Sequence, residues 1–233
     1  MNGNDVDTCI VSETDLKANI PDSLVCIPNY NIFRRDRDYS GRDLRAKGGI
    51  AIYVRENLDV VDIYKSELYE LICLTLRLPS GHMLLVCCVY HPPRPRYPSN
   101  GLMQYLINIV DNALEKQPGM AIVIGGDVNQ LKISELCLMT GWEALVDFVT
   151  RGEAILDNVL TNRSDLFGKC VPYNISIKTD HTAVILAAGV KLKPVRKRVR
   201  IWDCRKHRKN DFYRALAEEN WDNILNAPMF IWQ

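Results

Sequence analysis

Five short stretches of this 233-residue chain place acidic, amide, imidazole or phenol side chains where apolar runs stop. Val11-Ser12-Glu13-Thr14-Asp15-Leu16 delivers Glu13, and Val89-Tyr90-His91-Pro92-Pro93 ends in a phenol and a stiff turn. Ile124-Gly125-Gly126-Asp127-Val128-Asn129 sets an acid and an amide two residues apart, a spacing that points both to one side of an extended chain. Thr150-Arg151-Gly152 precedes Ile155-Leu156-Asp157-Asn158-Val159-Leu160-Thr161, and Lys178-Thr179-Asp180-His181-Thr182 supplies an imidazole beside an acid. Carboxylates bind hard cations and, with imidazole, move protons. Each stretch alone also has an ordinary structural use. A strand-end acid forms turns, a Tyr before Pro is half-buried, Gly-Gly-Asp caps a helix, and an Asp-His pair is simply hydrogen-bonded. His82 and His91 read as structural or solvated, and His207 belongs to a basic tail.

The elements that must carry these groups emerge from periodicity. Thr8–Val11, Gly49–Val54, Leu71–Leu78 and Met83–Tyr90 are short apolar or alternating runs that read as strands. Pro79-Ser80-Gly81 joins the last two as an antiparallel hairpin, and Met83–Tyr90, apolar on both faces, belongs inside a sheet. Leu102, Met103, Leu106, Ile107, Val110 and Leu114 make a helical stripe capped by Ser99 or Asn100 and ended by Pro118-Gly119. A buried strand at Met120–Ile124, a shorter helix around Ile133–Met139, and strands at Ile155–Leu160 and Thr182–Leu186 complete the pattern. The fold class is α/β, with two packed sheets and helices outside.

Composition bounds the rest. The chain is 47% apolar and 24% charged, which excludes wholesale disorder, and it has no apolar run long enough to span a bilayer. No secretory signal precedes the first strand, so the expected location is nuclear or cytoplasmic, with the 8 cysteines reduced. No paired C-x-x-C motif marks a structural zinc site. Residues 191–214 hold 11 Lys/Arg against 2 Asp, whereas the body before them is mildly acidic. Domain organisation reads as 1–190 for the α/β domain, 191–210 for a basic linker and 211–233 for an amphipathic helix. Phe212, Tyr213, Leu216, Trp221, Ile224 and Leu225 form that helix's apolar stripe.

Taken in order, Glu13, Tyr90, Asp127-x-Asn129, Asp157 and Asp180-His181 resemble the signature of the endonuclease/exonuclease/phosphatase superfamily, the DNase I-like fold. The chain looks most like the apurinic-type endonuclease domains of non-LTR (LINE-like) retrotransposons. Gly48-Gly49-Ile50-Ala51-Ile52-Tyr53-Val54 resembles a Gly-Gly-Val-Ala-Ile-Tyr-Val strand of those domains, as do Val-Tyr-His-Pro-Pro, Gly-Asp-Val-Asn, Ile-Leu-Asp-Asn-Val-Leu-Thr-Asn and Thr-Asp-His. The likeness spans about residues 7 to 187. It implies a four-layer sandwich of two mixed β-sheets between helices, and a Mg²⁺-dependent DNA endonuclease (Mn²⁺ as substitute) that nicks target DNA. It assigns Glu13 and Asp180 to the metal, and Asp127 to orienting or deprotonating the attacking water. Asn129 would fix that water and the phosphate, and His181 would donate to a phosphate oxygen with Asp157 holding its tautomer. Tyr90 would bond the phosphate or the leaving oxygen, and Thr150 would lie near the phosphate.

The chain departs from that pattern in two places. An Asn-bearing strand and a helix ordinarily precede the metal-binding Glu, whereas only twelve residues precede Glu13 here, so an N-terminal truncation and reduced or absent activity are expected. Asp15 stands where the family has an aromatic. A monomer is expected, with DNA as substrate, no membrane partner, and a reverse transcriptase domain downstream. Two other readings stay open: a cellular abasic-site nuclease or phosphatase of the same superfamily, and a non-catalytic fragment that binds nucleic acid through its basic segment.

Overall fold

The computed structural model describes residues 6–37, 48–175, 179–189 and 206–219. The strands are β1 (Thr8–Ser12), β2 (Tyr30–Arg35), β3 (Ile50–Arg55), β4 (Asp59–Lys65), β5 (Glu70–Arg77), β6 (Met83–Tyr90), β7 (Ala121–Asp127), β8 (Glu143–Ala144), β9 (Asp157–Thr161), β10 (Val171–Tyr173) and β11 (Ala183–Ile185). The helices are α1 (Ser99–Lys116), α2 (Ile133–Thr140) and α3 (Lys206–Glu218).

Alternation along β5 and β6 builds two cores from one hairpin. Leu71, Cys73, Leu85, Cys87 and Val89 face one side, where they pack with Ile122, Ile124 and Leu160 beneath Leu102, Leu106 and Val110 of α1 and Leu136 of α2. Ile72, Leu74, Leu76, Val86, Cys88 and Tyr90 face the other side and meet Ile50, Ile52 and Val54 of β3. Each such buried aliphatic contributes roughly 1.5–3 kcal/mol relative to exposure. The large sheet runs β4-β5-β6-β7-β9-β8 and the small one β1-β3-β2, with β10-β11 as a separate ribbon. β6 therefore lies inside its sheet, as its two apolar faces require, and its parallel pairing with β7 makes that sheet mixed. The small sheet is wholly antiparallel. The expected architecture of two packed sheets with outer helices is present, with α1 and α2 packed on the large sheet.

Local differences have physical causes. Helix α1 starts at Ser99 with extended Pro98 at the cap, and no side chain caps it, because proline carries no side-chain acceptor; the Ser99 hydroxyl meets His91 instead. β9 begins two residues later than the apolar run suggests, and β7 continues through Gly125 and Gly126 to Asp127. Gly126 has φ 142°, and a Cβ there would lie 1.9 Å from the Val89 carbonyl oxygen, so only glycine lets β7 pass β6 at this end. Strands β2, β4, β8 and β10 had no clear apolar signature.

Contacts divide the chain into units 1–195 and 196–233. In the second, α3 begins at Lys206, inside the stretch read as linker, since no Gly or Pro interrupts Lys206–Asn210. Trp221, Ile224 and Leu225 of the expected stripe lie outside the described residues, as do the linker residues 191–205. Among the described residues no helix is long and apolar enough to cross a membrane.

Candidate active site

Strand β1 ends at Ser12, and the chain turns through two left-handed residues, Glu13 (φ 52°) and Asp15 (φ 52°). Non-glycine residues are held in this region only when their surroundings over-determine them. Here Thr14 and Asp15 donate backbone N–H groups to the Gly49 and Gly48 carbonyls at 3.1 and 2.8 Å, and the Asp15 carboxylate accepts the Gly48 N–H at 3.1 Å. Asp15 thus replaces an aromatic with a polar cap for the facing loop. Glu13 Oε1 accepts the Tyr90 hydroxyl at 2.5 Å. Burial, then the bond to Glu13, pushes the Tyr90 phenol well above its ordinary range, so it stays a donor at neutral pH. Tyr90 has only 2% of its surface exposed, and its hydroxyl is committed to Glu13.

Behind Tyr90 sits an ion pair that sequence reading missed. Arg37 lies 5.4 Å from the Tyr90 ring centroid, and its guanidinium is paired with buried Glu70 through Nε (3.1 Å) and Nη2. Glu70 Oε1 also accepts the Gly49 N–H at 2.7 Å. A Cβ on Gly48 would fall 2.2 Å from Arg37 Cζ, so the first glycine of the Gly-Gly motif makes room for the guanidinium. The one signal in the sequence was that pair of glycines before a strand.

Asp127 closes β7 and is 4% exposed. Its N–H donates to Ser12 Oγ at 3.2 Å, tying the ends of β1 and β7 together, and its carbonyl accepts the His91 N–H at 2.9 Å. Its Oδ1 accepts the Asn129 backbone N–H (3.1 Å) and Asn129 Nδ2 (2.7 Å). Burial first, then the neighbouring Asp157 charge, raises the Asp127 carboxyl to about 6, with Glu13 adding a smaller push. Asn129 (φ 41°) gives its second amide hydrogen to the His91 carbonyl at 2.8 Å. Asp127 and Asn129 do meet, through a turn at Asn129 that replaces simple strand alternation.

Asp157 is the register partner of Asp127 across β7 and β9, and its Oδ2 lies 2.6 Å from His181 Nδ1. Both side chains are about one-fifth exposed, and His181 Nε2 is without a partner among the described residues. Thr150 does not face a substrate. It is 1% exposed, and its Oγ1 accepts the N–H groups of Leu156 (2.9 Å) and Asp157 (3.0 Å). Its carbonyl accepts the Thr182 N–H at 2.7 Å, so Thr150 pins the Asp157 strand to the His181 loop. Asp180 also departs from expectation. Its exposed carboxylate pairs with Arg151 at 2.5 Å, and its partner is that guanidinium, not the Glu13 group.

Glu13 with Tyr90, Asp127 with Asn129 and Asp157 with His181 therefore form three hydrogen-bonded pairs, the last two side by side through the register of β7 and β9. Among the described residues no three His, Cys, Asp or Glu side chains form a ready cage for a metal. That donor set suits Mg²⁺, which keeps several waters and takes only one or two carboxylates. Burial first and the Asp157 charge second raise Asp127, and a cation held there would oppose both.

No protein-family model matches this chain, and no curated protein matches it. Its backbone is similar to solved structures. The human Nocturnin catalytic domain, solved with a bound sulfate anion, shares 14% identity at a TM-score of 0.56, covering 78% of this chain and 81% of that one. Truncated Caenorhabditis elegans TDP2 shares 15% at 0.52, covering 76% and 82%. A D. rerio TDP2 humanized by 14 mutations shares 13% at 0.50, covering 76% and 83%. At these identities the likeness shows a common fold.

Proposed function

We propose that this chain is a Mg²⁺-dependent phosphodiester hydrolase, a DNA endonuclease domain of the kind that nicks target DNA for retrotransposon insertion. One observation carries the hydrolase reading: the Glu13–Tyr90, Asp127–Asn129 and Asp157–His181 pairs converge at one end of the sheets. The DNA and retrotransposon part rests on the residue resemblance of the Tyr-His-Pro-Pro, Gly-Asp-Val-Asn and Leu-Asp-Asn-Val-Leu-Thr-Asn stretches. The net positive segment 191–214 favours a polyanionic substrate.

Glu13 would hold the cation, with Mn²⁺ as substitute, and the ion would supply neutralisation of charge on the non-bridging phosphate oxygens. Asp127, raised to about 6, is ionised at neutral pH yet basic enough to take a proton from an attacking water. His181 keeps Nδ1–H on Asp157; when doubly protonated it offers Nε2–H to a phosphoryl oxygen. Tyr90 holds the Glu13 carboxylate in place.

A nicking assay on supercoiled plasmid tests this. Conversion of supercoiled to open-circular DNA by the wild-type chain, at the reduced rate expected of it, should require Mg²⁺ and stop with EDTA, and Asp127→Asn and Glu13→Gln should each lose it. Cutting that EDTA leaves unchanged, or full cutting by Asp127→Asn, overturns the reading. Turnover on an abasic duplex far above that on intact DNA would instead assign a repair nuclease.

A further inference from the structure

Resting on the hydrolase reading, we infer that His91 is a positioning residue that fixes which atom of Asn129 the substrate meets. His91 is 1% exposed and all four of its polar atoms are engaged. Its N–H donates to the Asp127 carbonyl at 2.9 Å, and its own carbonyl accepts Asn129 Nδ2 at 2.8 Å. Its ring nitrogens Nδ1 and Nε2 meet the hydroxyls of Tyr97 (3.1 Å) and Ser99 (3.3 Å).

The ring bonds anchor a segment that cannot anchor itself. Four of residues 92–98 are proline, so the loop between β6 and α1 has few backbone donors of its own. The His91 imidazole supplies the missing cross-links, joining the loop and the start of α1 to the end of β6. Tyr97 is braced in turn against Tyr69 in an edge-to-face contact with centroids 4.8 Å apart. Burial lowers the imidazole's proton affinity, which suits a neutral ring between two hydroxyls.

The consequence falls on Asn129. Its two amide hydrogens are spent on Asp127 Oδ1 and the His91 carbonyl. Rotating the amide by 180° would set Oδ1 against that carbonyl, an acceptor facing an acceptor with no proton between them. Oδ1 is therefore the atom left for the reaction. Asn129 can accept from a water O–H or bind a cation, and it cannot donate to a phosphate oxygen, which revises the phosphate-fixing role that the resemblance gave it. His91 acts at a distance, by holding its own carbonyl still.

The test uses the ¹⁵N-labelled chain, with Asn129 side-chain amide exchange followed by NMR and nicking kinetics measured in parallel. In the wild type those amide protons should be protected. His91→Ala should raise their exchange by about 10-fold or more and lower kcat by about 10- to 100-fold with little change in KM. His91→Gln, which can still reach a hydroxyl, should recover part of both. In Asn129→Ala, adding His91→Ala should cost nothing further, because the two act as one unit. Unchanged exchange in His91→Ala, or rate losses that add, overturns the inference. Should His91→Ala lose the fold, Tyr97→Phe combined with Ser99→Ala carries the same comparison. If Asp127→Asn cuts DNA as the wild type does, the hydrolase reading fails, while the exchange measurement still decides whether His91 orients Asn129.

Discussion

Asp157 Oδ2 and His181 Nδ1 lie 2.6 Å apart across 24 residues of sequence, in a pair about one-fifth exposed at the end of β9. An acceptor on Nδ1 holds the proton there and leaves Nε2 as the atom that, on the hydrolase reading, would meet the substrate. Asp157→Asn keeps the shape and removes the charge that stabilises an imidazolium. It should lower kcat about 100-fold or more with KM for DNA nearly constant, as measured by steady-state nicking. A loss confined to KM would place the pair outside the chemical step.

The raised carboxyl of Asp127 gives two linked pH signatures. On the hydrolase reading ionised Asp127 is the active form, so kcat/KM should rise with pH through about 6 and then level off. Stability should run the other way. The folded state holds this proton more tightly than the unfolded chain, so the contribution is fully present below about pH 4 and lost as pH rises through about 6. At most about 3 kcal/mol is involved. Asp127→Asn should therefore be inactive, more stable than wild type at about pH 7.5, and flatter in stability between about pH 4 and 7 by denaturant titration.

Thr150 offers a cleaner separation of position from chemistry. Its one hydroxyl oxygen satisfies two buried N–H groups, those of Leu156 and Asp157. Thr150→Val leaves both unpaired at nearly constant volume and should cost roughly 2–4 kcal/mol of stability, with a fall in kcat as Asp157 loses its anchor. Thr150→Ser keeps the oxygen and should restore most of both. If Val and Ser behave alike, the hydroxyl has no part in placing Asp157.

How much of this was readable in the sequence varies with the range of the interaction. Met83–Tyr90 was legible to the residue because a strand buried on both faces is apolar throughout. β4, Asp-Val-Val-Asp-Ile-Tyr-Lys, was not, since an edge strand with one wet face carries acids and lysine that blur its alternation. The site residues were legible as types at strand ends. Their roles were not, because these are set by contacts that no local pattern encodes. Tyr90 reaches Glu13 across 77 positions, and Asn129 reaches the His91 carbonyl across 38. Thr150 has the type of a substrate group but the burial of a structural one, and Asp180 has the type of a metal ligand but Arg151 beside it.

The ion pair behind Tyr90 yields the last prediction. Arg37 and Glu70 are largely buried, Glu70 also holds the Gly49 N–H, and the guanidinium stands beside the Tyr90 ring. Removing one partner of such a pair leaves the other's charge uncompensated, whereas removing both can be close to neutral. Glu70→Gln keeps an oxygen for Gly49 and strips the charge, so it should destabilise the chain by roughly 2 kcal/mol. Arg37→Met with Glu70→Gln should recover part of that loss, a coupling that a double-mutant cycle reads directly. Gly48→Ala should imitate Glu70→Gln, since its Cβ would occupy the space of the guanidinium. All three variants should also slow nicking, because the cation that steadies the Tyr90 ring, and through its hydroxyl the Glu13 carboxylate, has moved. Additive stability losses in the cycle, or wild-type nicking in Gly48→Ala, would show that the pair braces the sheet without touching the site.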